Sequence, residues 1–275
     1  MAKITNKNDG QLVDIHYQDQ GSGKPVVLIH GWPLSHTSWN NQISALADAG
    51  YRVIAYDRRG FGDSTTGNAY DYDSLSSDLH ALLEELDLKE VTLVGFSMGG
   101  GEVIRYVTNY GTDRISKLAF VASIIPLVKQ KDDNPDGVPQ EDLDDILANL
   151  KEDRMAFLKE FHQQFYNVDK KPDAVPESQL DADLAVSSAA NAEATIEAAK
   201  AWMDTDFRAE TEKITLPTLI IHGKEDNTVP IATSGEQAAK LISGSEFKVY
   251  DDAPHGLNVT HTEQLNKDLI QFLES

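Results

Sequence analysis

Short runs of aliphatic and β-branched residues alternate along this chain with stretches whose apolar positions recur every three or four residues. Val26-Val27-Leu28-Ile29 predicts a strand buried on both faces. Residues 35–49 follow, with Trp39, Ile43, Leu46 and Ala47 on one helical face and Gly50 as the stop. Residues 52–57 predict a second strand. Leu75, Leu79, Leu82, Leu83 and Leu86 mark a helix, with Asp73 as its expected cap. Residues 91–95 predict a third strand, Val103, Ile104 and Val107 the next helix, and residues 115–123 a fourth strand. Residues 217–222 and 247–250 read as later strands, and Leu265, Leu269, Ile270 and Leu273 mark a last helix. This alternation predicts an α/β architecture, a mostly parallel sheet flanked by helices.

Residues 126–210 break the alternation. They hold no strand-like run and two helical stretches, 141–164 and 180–203. The expected organisation is a core of residues 1–125 and 211–275 with an inserted helical cap at 126–210. The cap carries 9 basic and 20 acidic residues, so it holds more than half of the chain's net charge of −21. The acidic excess reads as a solvated surface. Leu143, Leu147, Leu150, Phe157, Phe161 and Phe165 recur near helical spacing, and that pattern reads mainly as packing of the cap on the core.

The acidic balance sets nucleic acid and anionic membrane surfaces aside as partners, because it repels phosphate. Cysteine is absent, which excludes disulfides, thiolate metal sites and cysteine nucleophiles. A reducing compartment fits that absence. Met1-Ala2-Lys3-Ile4-Thr5-Asn6 lacks the apolar run of a signal peptide, so the expected location is the cytoplasm. The most apolar stretch, residues 118–128, is too short to span a bilayer.

Gly95-Phe96-Ser97-Met98-Gly99 matches G-x-S-x-G. The motif alone carries little, but here it follows a predicted strand and opens a predicted helix, as a nucleophile elbow requires. Such a turn is tight enough to need glycine at both ends, and it lifts the Ser97 hydroxyl above the strand ends. A serine hydroxyl needs a base to take its proton. Of eight histidines, His255 lies in a loop after the last strand, at the carboxyl edge of the sheet where Ser97 also lies. His30 ends a strand and reads as shaping its own loop. A carboxylate must orient the base, and Asp226 follows the strand at 217–222. Glu225 is a weaker candidate because its side chain should point away, Asp251 and Asp252 because the connection to His255 is too short, and Asp57 because it reads as organising its own loop. The backbone N–H of Met98, next after the nucleophile, is one expected oxyanion donor. The second is expected from the His30-Gly31-Trp32-Pro33 loop. Trp32 is preferred there, since Pro33 has no N–H.

These motifs, together with Tyr56-Asp57-Arg58-Arg59-Gly60-Phe61-Gly62-Asp63-Ser64, His222-Gly223-x-x-Asp226 and Pro254-His255-Gly256, resemble the α/β-hydrolase superfamily. The closer resemblance is to its cofactor-free haloperoxidase, perhydrolase and aryl esterase branch, and it covers nearly the whole chain except the cap. It implies the α/β-hydrolase fold, Ser97, Asp226 and His255 as a triad, and Trp32 and Met98 as oxyanion donors. It also implies hydrolysis of small carboxylic esters without metal or cofactor, with peracid formation from hydrogen peroxide as a side activity. Assembly into a homo-oligomer is common among such lookalikes. Asp63 departs from the Arg or Lys usual after Phe-Gly in that branch. Lactonases and carbon–carbon bond hydrolases also keep a serine at the elbow, whereas dehalogenases and epoxide hydrolases use aspartate. A ligand-sensing receptor of slow turnover is a reading from another class.

Other motifs fall away. Asp132, Asn134, Asp136 and Gly137 start like a calcium loop, but the twelfth position is Leu143. Gly60-Phe61-Gly62 lacks the third glycine of a dinucleotide fingerprint, and Gly23-Lys24 runs straight into Pro25 and a strand.

Overall fold

The computed structural model describes residues 2–7 and 10–275. Among them, eight strands form one sheet in the order β1-β2-β4-β3-β5-β6-β7-β8. The strands are β1 Ala2–Asn6, β2 Val13–Gly21, β3 Pro25–Ile29, β4 Arg52–Tyr56, β5 Val91–Phe96, β6 Ile115–Val121, β7 Thr218–Gly223 and β8 Glu246–Tyr250. β1 and β2 are antiparallel, and every pairing from β4 to β8 is parallel. The helices between them are α1 Asn40–Asp48, α2 Tyr72–Glu85 and α3 Gly99–Tyr110. After β6 come α4 Gln140–Glu152, α5 Arg154–Phe165, α6 Glu177–Ala189, α7 Ala192–Asp204 and α8 Arg208–Thr211. α9 Gly235–Leu241, α10 Leu257–Thr260 and α11 Thr262–Glu274 complete the chain.

The continuous apolar runs are explained by cover on both faces. Successive side chains of a strand point to opposite sides. Val27 and Ile29 of β3 therefore pack with Leu75, Leu79, Leu82, Val103 and Ile104 from α2 and α3. Val26 and Leu28 pack with Ile43, Leu46, Leu265 and Leu269 from α1 and α11. Each such side chain is fully buried or nearly so, and burial of this kind contributes roughly 1.5–3 kcal/mol per large aliphatic group. The strand order reverses around β3, with β4 on one side and β5 on the other. Open sheets of this kind form their crevice at that reversal, beyond the carboxyl ends of the strands.

Three expectations need correction. The cap of α2 is Asp71, whose Oδ1 accepts from Ser74 N at 2.8 Å; Asp73 lies in the first turn and pairs with Arg105 instead. Each long helical stretch after β6 is two helices. Asp153 ends α4 and caps α5, and Asn191 caps α7 through Ala194 N at 3.0 Å. β1 and β2, absent from the sequence reading, extend the sheet through the alternating burial of Val13, Ile15 and Tyr17. No helix among the described residues is long and apolar enough to cross a membrane.

Candidate active site

Three loops at the carboxyl ends of β5, β7 and β8 converge. Ser97 follows β5 with φ at +52°, a left-handed backbone that an L side chain adopts only when its surroundings enforce it. The enforcement is steric. A Cβ on Gly95 would lie 2.7 Å from the backbone of Gly99 and Gly100, and one on Gly99 would lie 2.6 Å from the Ile29 carbonyl oxygen. The Ser97 carbonyl accepts from Gly100 N at 3.1 Å, so the chain turns at once into α3.

His255 Nε2 lies 2.9 Å from Ser97 Oγ, and His255 Nδ1 lies 2.6 Å from Asp226 Oδ2. All three side chains are almost completely buried. The other Asp226 oxygen, Oδ1, accepts from Val229 N at 2.7 Å and Thr228 N at 3.0 Å. Burial alone would raise the Asp226 pKa; contacts with His255 and His222 outweigh it and hold the pKa at about 2. Asp226 is therefore a carboxylate, and it accepts from His255 Nδ1–H. That tautomer leaves Nε2 as the acceptor for the Ser97 hydroxyl. The His255 ring is held between Phe96 and Phe165, with centroids at 5.2 and 5.0 Å.

The competing carboxylates are occupied elsewhere. Glu225 pairs with Lys171, Asp251 with Lys224 and Asp252 with His261. Asp57 binds His36 and Asp63 N and so organises its own loop. His30 also serves its own loop. Its Nδ1 donates to the Gly31 carbonyl at 2.8 Å and its Nε2 accepts from Arg58 N at 3.0 Å. Burial, followed by the Arg58 charge, lowers its pKa to about 3. Arg58 also donates to the His30 carbonyl at 2.8 Å and pairs with Glu102 in α3, which joins the Trp32 loop to the helix that follows Ser97.

Ser97 and His255 open into a cavity of only about 20 Å³, walled by Trp32, Ile124, Phe161, Trp202 and Val229. Trp32 Nε1 donates to the Thr195 carbonyl of α7 at 2.9 Å, and its ring packs on Phe161 and Trp202. A second cavity of about 360 Å³ shares Phe161, Trp202 and Thr228 with the first.

His222 stands in the sequence only within a motif, and no contact with Asp226 was expected of it. Its Nε2 faces the Val229 carbonyl at 2.9 Å and Asp226 Oδ2 at 3.3 Å. Both partners are acceptors, so Nε2 carries the proton. The signal was the four-residue spacing to Asp226 across the end of β7. Phe161, read as a packing residue, both packs and faces the cavity, and Trp202 of α7 does the same.

The α/β hydrolase fold family matches residues 24–262. A putative non-heme chloroperoxidase of Synechocystis sp. is 42% identical over 98% of each chain. A bifunctional esterase/perhydrolase of Acinetobacter calcoaceticus is 36% identical over 100% of each chain. The crystal structure of a bromoperoxidase from Bacillus anthracis superposes with a TM-score of 0.96 at 44% identity, covering 100% of both chains.

Proposed function

Because the chain belongs to the α/β-hydrolase family, in its non-heme haloperoxidase and esterase branch, we propose that it is a serine hydrolase of small carboxylic esters. The observation that carries this reading is the bridging position of His255, 2.9 Å from Ser97 and 2.6 Å from Asp226. Ser97 Oγ attacks the ester carbonyl as His255 Nε2 takes its proton. Asp226 stabilises the imidazolium and holds the ring in place. The oxyanion rests on the backbone N–H groups of Trp32 and Met98. His255 then returns the proton to the leaving alkoxide, which departs as the alcohol. Water, deprotonated by the same imidazole, attacks the acyl-serine and releases the acid. Hydrogen peroxide in place of water gives the peracid, and the esterase/perhydrolase relative supports that side activity. No step needs a metal or cofactor.

Residues 126–210 act as a cap over a core of residues 1–125 and 211–275. Phe207 N donates to the Pro126 carbonyl at 2.9 Å, which supports an insertion with closed ends. Through Phe161 and Trp202 this segment supplies part of the pocket wall. The test is turnover of an aryl acetate. Ser97→Ala should lower kcat by about 10⁴–10⁶ with the fold intact by circular dichroism. A variant retaining most of the wild-type rate would remove Ser97 from its role.

A further inference from the structure

The peptide that joins Gly31 to Trp32 is gripped from behind. We propose that His30 is a positioning residue: its Nδ1–H bond to the Gly31 carbonyl orients and polarises the Trp32 N–H as an oxyanion donor. The proposal rests on the serine-hydrolase reading above. A peptide unit is planar, and its C=O and N–H point in opposite directions. A grip on the Gly31 oxygen therefore sets where the Trp32 hydrogen points. His30 Nδ1 supplies that grip at 2.8 Å, and Leu34 N adds a second at 3.1 Å. The tautomer is set on the far side of the ring. Arg58 N donates to Nε2 at 3.0 Å, so Nε2 keeps the lone pair and Nδ1 carries the proton. The opposite tautomer would set two N–H groups face to face at Arg58 and two acceptors 2.8 Å apart at Gly31. Arg58 Nη1 is the more distant neighbour of Nδ1, at 3.3 Å. With a pKa held at about 3 by burial and then by the Arg58 charge, the ring keeps this uncharged tautomer at neutral pH. Arg58 also donates to the His30 carbonyl at 2.8 Å and is itself fixed by Glu102 at 2.6 Å. Both carbonyls before Trp32 are thus pinned.

The pinned peptide passes the nucleophile. A Cβ on Gly31 would lie 3.1 Å from Ser97 Cβ. Trp32 and Met98 are both buried, yet among the described residues their backbone N–H groups donate to no protein acceptor. Buried backbone N–H groups are nearly always paired, so two free ones beside a reactive serine are donors held for a ligand. An oxyanion on Trp32 N–H would complete a chain of three bonds. Trp32 N–H donates to the oxyanion, His30 Nδ1–H to the Gly31 carbonyl, and Arg58 N–H to His30 Nε2. Bonds in such a chain polarise one another, so the donor strengthens as negative charge grows on the substrate oxygen.

The substrate for the test is 4-nitrophenyl acetate. The probe of the tetrahedral state is methylboronic acid, whose boron takes an electron pair from Ser97 Oγ and becomes a tetrahedral anion. His30→Gln keeps a polar group near the place of Nε2 and withdraws the donor from Gly31. It should lower kcat about tenfold with KM changed less than about twofold, and should raise the boronate Ki by the same factor as kcat falls. The loss stays below the roughly 10²–10³ of a missing oxyanion donor because Leu34 N still holds the carbonyl. His30→Asn keeps an amide donor near the place of Nδ1 and should recover most of both changes. An unchanged kcat in His30→Gln, a fall in kcat without a rise in boronate Ki, or no recovery in His30→Asn would overturn the proposal. A wild type inactive on the ester, or a Ser97→Ala variant that keeps the rate, overturns the serine-hydrolase reading instead. Nitrogen-15 and proton NMR of the wild type then decides, since it needs neither turnover nor a folded variant. On addition of methylboronic acid, the Trp32 N–H and His30 Nδ1–H protons should move downfield together. A shift at Trp32 alone, or at neither, overturns the proposal.

Discussion

The sheet edge and the helical segment after β6 build one pocket by opposite means. At the edge, position is set by backbone. Gly95 and Gly99 leave no room for another path, and Asp226 is fixed by two peptide N–H groups and two imidazoles. In the helical segment, position is set by side chains. Arg154 alone donates to the carbonyls of Ser187, Ser188 and Ala190 and to Thr195 Oγ1. Groups that react must be held within fractions of an ångström, and a strained turn on a buried strand does that. Groups that select a substrate tolerate looser support, and helices joined by side-chain contacts can vary without disturbing the strands.

The division has measurable consequences. Asp226→Asn should break the edge chemically without breaking the fold. Loss of the anion that orients His255 should lower kcat by about 10⁴, while the fold stays intact by circular dichroism. An equal loss of stability and rate would mean that Asp226 is structural first. Arg154→Ala should do the reverse. Three carbonyls and a hydroxyl lose a charged donor, so stability should fall by about 3 kcal/mol in urea denaturation. Turnover per folded molecule should fall far less than for Asp226→Asn. A variant as stable as the wild type would show that α6 and α7 hold together without the guanidinium.

The smallest effect expected is a pH slope. Burial lowers the His162 pKa to about 4, and Nε2 bonds Ser187 Oγ at 2.9 Å. The unfolded chain takes up this proton near pH 6.5, before the folded chain does. The stability is therefore fully present above pH 6.5 and is lost as pH falls toward 4. Between pH 7 and 5 the loss assigned to this ring should be about 2 kcal/mol. His162→Asn should flatten the slope in urea titrations at those two pH values. His30 adds a slope of the same sign from the sheet edge, so the variant should retain that part.

The comparison also separates what could be read in the chain from what could not. The elbow was legible because sterics demand glycine on both sides of Ser97. Asp226 and His255 were legible because a parallel sheet delivers the ends of β7 and β8 to the same rim as β5. Asp71 was passed over for Asp73, two residues along, because both are cap-forming types and only backbone geometry separates them. The breaks at Asp153 and Asn191 were masked by an apolar period that continues across them. β1 and β2 are half exposed and polar on one face, so they lack the solid apolar run that marked the inner strands. Phe161 could not be assigned to the pocket, since one helical face serves both packing and lining. His222 was hidden by the opposite problem, a single residue whose contact with Asp226 exists only after β7 has ended.

The short bridge from the Phe207 amide to the Pro126 carbonyl has an evolutionary corollary. A segment that starts and finishes at one point can be exchanged whole, like a fitting on a standard thread. Loop-closure entropy changes by only about 0.6 kcal/mol for each doubling of length. Descendants of this scaffold could thus acquire new entrances by replacing one continuous stretch of gene, while the strands and the rim that carries Ser97, Asp226 and His255 stay as they are.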